Sequence, residues 1–273
     1  TELFARDNKS GAAYAATGPS MAPFSNLTQH LVDSLNIICG RFRRAGDKAV
    51  VDMVAPQQEF YAQVISPPRS WEALPKSRIR GVGRLGVDRL TSTLAEEILT
   101  PGEGQIRAMF VLGANPAMCV PDQHKIVEAL NSLELLVVVD PYVTATAQLA
   151  DYVLPPLMMY ERPDIPWSYG GLSVLTKNWA MFAEPVLEPP VGSDLIDDWY
   201  LYWAMAKRLG LQLEYFGSQL DMTNAPTTEE LLSIRMGQSS ISFDDLKADT
   251  RQQPAGRLYE PPTAIVREAL SGA

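Results

Sequence analysis

Apolar side chains are most concentrated between residues 105 and 156, where they form three short runs. The first run is Ile106–Leu112, the second is the uninterrupted apolar stretch Leu135–Val139, and the third is Tyr152–Leu154. Apolar runs of this length, bounded by Gly, Asn, Asp and Pro, predict strands. A strand that is apolar on both faces is typical of a parallel sheet that helices cover on both sides.

The segments between these runs carry helical signals. Pro121 suits the first position of a helix, where its missing N–H costs nothing, and Ile126, Leu130 and Leu133 then recur on one face. Residues 144–150 predict a second, short helix. The resulting βαβαβ order joins parallel strands through right-handed crossovers. We therefore predict an α/β fold, a three-layer α/β/α arrangement with a mostly parallel, Rossmann-like sheet.

Outside this region the hydrophobic pattern predicts separate elements joined by long connections. Residues 11–18 predict a short buried strand, and Asn26 is expected to cap the helix that follows. Leu27, Leu31 and Leu35 are predicted to fall on one face of that helix. Residues 50–88, which contain four prolines and three glycines, predict an irregular connection. Further helices are predicted at residues 194–209, 228–236 and 242–248, and in the first of them Trp203 and Leu209 are expected to face the core.

Charge and composition exclude several classes of function. The net charge of −9 argues against nucleic acid as a partner, because phosphate binding needs an excess of Lys and Arg. No apolar run approaches the ~20 residues of a membrane helix, so no membrane insertion is expected. The two cysteines, Cys39 and Cys119, are too few for an iron–sulfur cluster or a structural zinc site.

The first residues show neither an initiator Met nor the basic and apolar regions of a signal peptide. We therefore expect either that an export signal has been removed or that the chain is an excised piece. The cytoplasm is the expected location, and the periplasm is the alternative if an export signal existed.

Polar residues and a glycine stand where the predicted strands begin or end. Gly113 and Asn115 follow the first strand, Asp140 ends the second, and Asp151 introduces the third. Parallel sheets bind ligands at the carboxyl ends of their strands. A glycine lets the backbone approach a phosphate, and a carboxylate suits a ribose diol or the N–H groups of guanine. These four residues are the candidate nucleotide-binding residues, and we predict no catalytic or metal-ligating ones.

The same residues also have an ordinary structural interpretation. Residues 113–116 are a plausible turn, Asp140 a strand cap and Asp151 a helix terminator, and spacing alone leaves both interpretations open. A second glycine pattern, at residues 81–86, matches the dinucleotide fingerprint G-x-G-x-x-G. Because no buried strand precedes it, we interpret it as a flexible or ligand-covering loop and not as a cofactor cradle.

Four segments follow one another in an order that is informative as a set. They are Ala108–Pro116 (AMFVLGANP), Leu133–Asp140 (LELLVVVD), Thr146–Pro155 (TAQLADYVLP) and Glu161. Together they resemble the molybdopterin oxidoreductase family, which includes dimethyl sulfoxide reductase and formate dehydrogenase. The resemblance extends over about 200 residues when weaker upstream and downstream matches are included.

This resemblance implies a domain organisation in which two related domains each hold one molybdopterin guanine dinucleotide. Residues 1–50 would be the end of the preceding cofactor-binding domain, and residues 51–104 an irregular connection with a helix. Residues 105–215 would form the second, Rossmann-like dinucleotide-binding domain, and residues 216–273 a C-terminal extension with short helices. Where the family has a Gly-Thr-x-x-Asn-x-Glu-Gly-Arg stretch, residues 162–171 differ, so no cofactor contact is carried over to that loop.

The resemblance also implies roles for the candidate residues. Gly113 and Asn115 would lie against the phosphate and ribose of the dinucleotide, and Asp140 and Asp151 against the nucleoside. The implied function is that of a fragment of a molybdenum or tungsten bis-molybdopterin guanine dinucleotide oxidoreductase. The isolated chain is not expected to be active, since the family's cysteine cluster, metal ligand and C-terminal barrel are absent from it.

Partners follow from the same comparison. The remainder of its own polypeptide and an electron-transfer subunit are the implied partners, and an iron–sulfur cluster is expected only in the missing N-terminal part. One alternative is a stand-alone Rossmann-like nucleotide-binding module without redox activity. Another is the central domain of thiamine diphosphate enzymes, which is disfavoured because the segment Ala150–Pro155 has no place there.

Overall fold

The computed structural model describes most of the chain. The described residues are 2–7, 12–16, 18–19, 22–41, 48–50, 67–86, 88–165, 178–237, 239, 241–252, 257–259 and 263–265. Two compact units result, one formed by Thr1–Asp52 with Pro261–Ala273 and the other by Met53–Glu260. The four-part division proposed from the sequence stays a prediction.

The larger unit is built around a three-stranded parallel sheet in the order β2 (Ala108–Leu112), β3 (Leu135–Val139), β4 (Tyr152–Leu154). The register pairs Leu112 with Val139, which in turn pairs with Leu154. This confirms the predicted α/β class with a parallel sheet. Two strands have the predicted bounds, and the first begins two residues later than its apolar run.

Helices α3 (Leu94–Leu99), α4 (Pro116–Cys119) and α5 (Gln123–Asn131) contribute to the core beside this sheet. Their buried side chains pack with those of one sheet face; the members at most 3% exposed are Ile98, Val111, Ala117, Ile126, Ala129, Leu130, Leu136 and Val138. On the opposite face Val137 and Val139 are buried as well. β3 is therefore apolar on both faces because both faces are removed from water.

Helix α5 begins two residues after the proline that predicted its start. Asp122 is the N-cap residue, and its carboxylate accepts a hydrogen bond from the backbone N–H of Lys125 at 3.3 Å. The cap satisfies one of the amides that a helix start leaves without a partner. A short 3₁₀ turn, Ala147–Leu149, replaces the second helix predicted before β4.

A second core in the same unit is formed by residues after β4. It includes helices α7 (Thr228–Met236) and α8 (Phe243–Gln252) and strand β5 (Asn178–Ala180), which pairs antiparallel with β8 (Arg257–Tyr259). Helix α6 (Asp198–Arg208) and the antiparallel strand pair β6 (Glu214–Tyr215) and β7 (Ser218–Gln219) lie between β5 and α7 in the chain. The buried members are Ile165, Ala180, Phe182, Leu232, Met236 and Leu246. These elements match the helices predicted for the last eighty residues.

In helix α6 the apolar pattern predicts the burial of one side chain correctly and that of another wrongly. Trp203 is buried, and its indole N–H donates to the carbonyl of Asp221 at 2.8 Å. Leu209, which the pattern also directed to the core, is 67% exposed. It is the C-cap residue, beyond the last helical turn, so the helical periodicity no longer sets its direction.

The smaller unit contains helix α1 (Ser25–Ile38) and a two-stranded antiparallel pairing of β1 (Lys48–Val50) with β9 (Thr263–Ile265). The buried strand expected at residues 11–18 is absent from the described residues 12–16; there the carboxamide of Asn36 bonds both backbone groups of Ala13. The predicted cap is also wrong. The N-cap residue is Phe24, in a left-handed conformation without a side-chain cap.

The glycine pattern at residues 81–86 lies against the short helix α2 (Ser70–Ala73). A Cβ atom on Gly83 would fall 2.5 Å from the Cβ of Trp71, so only a glycine fits at this contact. The hydroxyl of Ser70 accepts from the N–H of Gly86 at 2.9 Å and donates to the carbonyl of Arg84 at 3.0 Å. The segment lacks the strand–turn–helix geometry that a dinucleotide fingerprint requires.

Glu97 attaches this loop to helix α3. Its buried carboxylate accepts hydrogen bonds from the Ser77 hydroxyl at 2.6 Å and from the Ile79 N–H at 3.3 Å, and its Oε2 lies 3.4 Å from the Nε of Arg78. Burial alone would raise the pKa of this carboxyl, but the hydrogen bonds and the Arg78 charge outweigh it. The pKa of Glu97 is therefore below its ordinary value.

The neighbouring Glu96 is held by two cations. Hydrogen bonds from Arg80 and from Lys125, the latter at 2.9 Å, lower the pKa of Glu96 from 4.5 to about 2. Arg80 directly precedes the glycine pattern, Glu96 lies in α3 and Lys125 lies in α5. The carboxylate of Glu96 therefore connects three segments of the chain.

Acid should therefore weaken this part of the fold. A carboxyl whose pKa is lower in the folded state stabilises it above the unfolded-state pKa, and loses that effect as the pH falls toward the folded value. Between pH 4.5 and about 2, we expect the melting temperature of the wild type to fall more steeply than that of Glu96→Gln. Thermal melts across this pH range measure the difference, and the exposed Glu103→Gln is the matched control. Equal slopes for wild type and Glu96→Gln would contradict the expectation.

Candidate functional site

The loops that follow β2, β3 and β4 define the carboxyl edge of the sheet, here residues 113–120, 140–147 and 155–161. Gly113 and Asp140 are neighbours on this edge, since they follow the paired residues Leu112 and Val139. Adjacent strands lie about 4.8 Å apart. The structure therefore brings these two predicted site residues together.

Gly113 leaves β2 with a φ of 55°, in the left-handed region that favours glycine. Its N–H donates to the carbonyl of Val139 at 2.9 Å. Apart from its two chain neighbours, no described residue has an atom within 4 Å of the position that a Cβ would take. The backbone conformation therefore requires the glycine, and the space beside it is open to a ligand.

Asn115 is fastened to the loop after β3. Its Oδ1 accepts hydrogen bonds from the hydroxyl and the N–H of Thr146, at 2.7 and 3.1 Å. The Thr146 hydroxyl also accepts from the N–H of Ala117 at 3.1 Å, and Thr146 is 0% exposed. The Nδ2 group of Asn115 makes no hydrogen bond to the described residues, so it is available as a donor at the edge.

Asp140 is 8% exposed, and its two carboxylate oxygens have different surroundings. Oδ1 accepts the backbone N–H of Tyr142 at 2.8 Å, which closes a local turn. Oδ2 makes no hydrogen bond to any residue in the described part of the chain. Asp140 thus acts as a turn former through one oxygen and offers the other as an acceptor.

Asp151 does not lie at this edge. Its N–H donates to the carbonyl of Leu136 at 2.9 Å, and its Oδ2 accepts from the N–H of Leu136 at 2.7 Å. Leu136 is near the start of β3, about 13 Å along the strand from Asp140 at 3.3 Å per residue. The expectation that Asp151 joins Gly113 and Asp140 is therefore wrong, because a residue that precedes a parallel strand lies at its amino end.

The loop after β4 is held by its own polar contacts. Glu161 accepts the N–H of Met158 at 2.8 Å, and Arg162 forms ion pairs with Asp197 at 3.0 Å and Asp198 at 3.1 Å. These ion pairs attach the loop to the start of α6. Residues 166–171, where the sequence departs from the family pattern, lie outside the described residues.

Thr146 is not among the residues that the sequence predicted to be functional. Its side chain bonds to residues about thirty positions earlier, and nothing in the local sequence signals such a contact.

Other chemically reactive side chains are not clustered. Cys119 is exposed, and no group of three His, Cys, Asp or Glu side chains within the described ranges could hold a metal ion. Nor is any described helix long and apolar enough to cross a membrane.

Comparison with known proteins identifies the family. The sequence profile of molybdopterin oxidoreductases matches residues 11–208, which include the whole parallel sheet and its carboxyl edge. The chain belongs to the molybdopterin oxidoreductase family. The predicted resemblance is thereby confirmed.

Individual relatives agree with this assignment. The chain is 31% identical over 169 residues to a probable oxidoreductase, YyaE, of Bacillus subtilis. The matched residues make up 62% of this chain and 22% of the relative. It is 28% identical over 170 residues to F420-dependent formate dehydrogenase 1 subunit alpha of Methanococcus maripaludis, with 62% and 23% covered. The chain thus spans about a fifth of the length of these relatives.

A solved structure, acetylene hydratase from Pelobacter acetylenicus, is also similar. The two chains superpose with a TM-score of 0.49 and 24% sequence identity, over 60% of this chain and 20% of the other.

The hydroxyl of Thr146 should be needed to hold the edge together. Thr146→Val keeps the shape of the side chain but leaves the buried N–H of Ala117 and the Oδ1 of Asn115 with fewer partners. Each buried polar group left unsatisfied costs about 1–3 kcal/mol, so we expect a loss of stability of that order. Urea denaturation measures the loss, and Thr146→Ser, which retains the hydroxyl, should recover most of it. Equal stabilities for the Val and Ser variants would show that the hydroxyl does not contribute.

Proposed function

We propose that the carboxyl edge binds the nucleotide end of a molybdopterin guanine dinucleotide, as part of a molybdenum or tungsten oxidoreductase. The observation that carries the proposal is that open backbone at Gly113 lies beside Asp140, whose Oδ2 makes no hydrogen bond to any described residue. The Nδ2 group of Asn115, two positions after Gly113, is a further donor at the same edge. Family membership supplies the class of cofactor. The guanine dinucleotide form is part of the proposal.

The chemistry of the edge fits a nucleotide. The open space at Gly113 lets a phosphate approach the backbone, and the Nδ2 group of Asn115 is a suitable donor to phosphate or ribose oxygens. Oδ2 of Asp140 can accept from a ribose hydroxyl or from a guanine N–H. Because Oδ1 is already engaged by Tyr142, a single strong hydrogen bond is favoured over a two-point contact.

The described residues of this chain contribute binding and orientation to the reaction. The bound metal supplies oxygen-atom or hydride transfer chemistry, while the protein sets the position of the cofactor and excludes competing reactions. The proposed role of the described residues is confined to the nucleotide end of the cofactor. The link from Thr146 to Asn115 keeps the loops after β2 and β3 at a fixed spacing before the cofactor arrives.

The activity of the whole protein follows as a proposal from its relatives. Several are formate dehydrogenases, and three of these are named as alpha subunits. We infer that the complete polypeptide acts in the cytoplasm with an electron-transfer subunit, and that any iron–sulfur cluster is bound by other parts of that polypeptide. The alternative, a stand-alone nucleotide-binding module, predicts tight binding by this chain by itself.

Asp140→Asn is the sharpest test of the site. The Asn carbonyl oxygen still accepts from the N–H of Tyr142, so the turn is kept, but an amide donor replaces the Oδ2 acceptor. Losing a hydrogen bond to a charged group costs about 1.5–3 kcal/mol, so cofactor affinity should fall roughly tenfold to a hundredfold. Guanine and molybdenum contents of the purified full-length enzyme measure the effect.

The matched control for this test is Asp151→Asn. It removes the same charge at the other end of the sheet, and its carbonyl oxygen can still accept from Leu136, so cofactor content should not change. Full cofactor content in Asp140→Asn, with a melting temperature lowered in the cofactor-free protein, would leave Asp140 as ordinary structure and contradict the site assignment.

The 273-residue chain should bind guanine nucleotides weakly. Tight binding depends on preorganised walls from several segments, and only a fifth of the family's length is represented here. Calorimetric titration with GDP should give a dissociation constant far above the micromolar range. Nanomolar binding would instead support the stand-alone module.

A further inference from the structure

A cavity lies at the amino end of the parallel sheet, opposite to the carboxyl edge. It has a volume of about 110 Å³, and its apolar walls include Val82, Leu90, Leu94 and Ile106. Ile106 precedes β2, whereas Gly113 follows it. The five residues of β2 span about 16 Å, so the cavity is separate from the proposed nucleotide site, and binding in the cavity does not depend on that site.

Two arginines that line this cavity, Arg84 and Arg89, have no partner among the described residues. Neither Arg84 nor Arg89 forms an ion pair or a side-chain hydrogen bond with another described residue, although the chain carries an excess of nine negative charges. The Nε of Arg84 is buried and has no hydrogen-bond partner. By contrast, Arg78 and Arg80, from the same loop, are paired with Glu97 and Glu96.

The carboxylate of Glu97 also lines the cavity, but its negative charge is already paired with the positive charge of Arg78. It accepts from Ser77 and Ile79 and pairs with Arg78. The uncompensated charge at the cavity is therefore positive. A buried donor without a partner is costly, and a bound anion would supply that partner.

We propose that this cavity binds a small organic anion, a carboxylate with a short apolar chain. The guanidinium groups of Arg84 and Arg89 match the geometry of a carboxylate, and the hydroxyl of Thr91, which also lines the cavity, is a further donor. The apolar walls favour a ligand with an apolar body over a fully hydrated inorganic anion. The volume equals about four water-sized groups, which limits that body to two or three carbons.

Calorimetric titration of the purified protein with butyrate tests the proposal. We expect millimolar binding that butyramide, the neutral analogue, does not reproduce. Arg84→Gln should weaken butyrate binding at least tenfold, and so should Arg89→Gln, which changes an exposed residue and leaves the packed loop intact. Arg107→Gln removes an exposed arginine that is paired with Glu134 and should leave butyrate affinity unchanged.

Three results would overturn the proposal. They are the absence of butyrate binding, equal binding in the wild type and both arginine variants, and inorganic phosphate binding as tightly as butyrate, which would show that the apolar walls do not take part. Asp140→Asn separates this proposal from the proposed function, since it should reduce cofactor content while leaving butyrate affinity unchanged.

Discussion

The burial of β3 on both faces, between two parallel neighbours, is the constraint on which the rest of the larger unit depends. Each residue of Leu135–Val139 is paired with β2, and its last three with β4. This pairing fixes where the loops after β2 and β3 emerge, and therefore which polar groups become neighbours. Gly113 and Asp140 lie side by side for this reason and not through any direct contact between them.

The sequence predicted those elements best whose side chains are apolar without interruption. Leu135–Val139 and Tyr152–Leu154 were found with their predicted bounds, because Pro and Asp residues end the runs where the strands end. Apolar residues at helical spacing predicted burial less reliably. Leu27, Leu31 and Leu35 fall on one face of α1 as predicted, yet they remain exposed, since periodicity identifies an apolar face but not what covers it.

The candidate site shows the same distinction between local and non-local information. Gly113 and Asp140 could be predicted because the ends of adjacent parallel strands must meet. Asp151 was assigned to the wrong end of the sheet, since its position before a strand was treated like a position after one. Thr146 could not be predicted at all, because its role depends on a hydrogen bond to Asn115 across two loops.

The glycine pattern at residues 81–86 shows how a motif can arise without the function that it usually indicates. Gly81 and Gly86 adopt φ values of 64° and 63°, whereas Gly83 is required by the backbone and side chain of Trp71. Of the three glycines at the fingerprint spacing, two therefore allow left-handed backbone conformations and one allows a close packing contact. A larger residue at position 83 would push the loop away from Trp71, and the displacement would be transmitted to Arg84, the next residue in the chain. The contact between Gly83 and Trp71 therefore determines where the backbone of Arg84 lies beside the cavity.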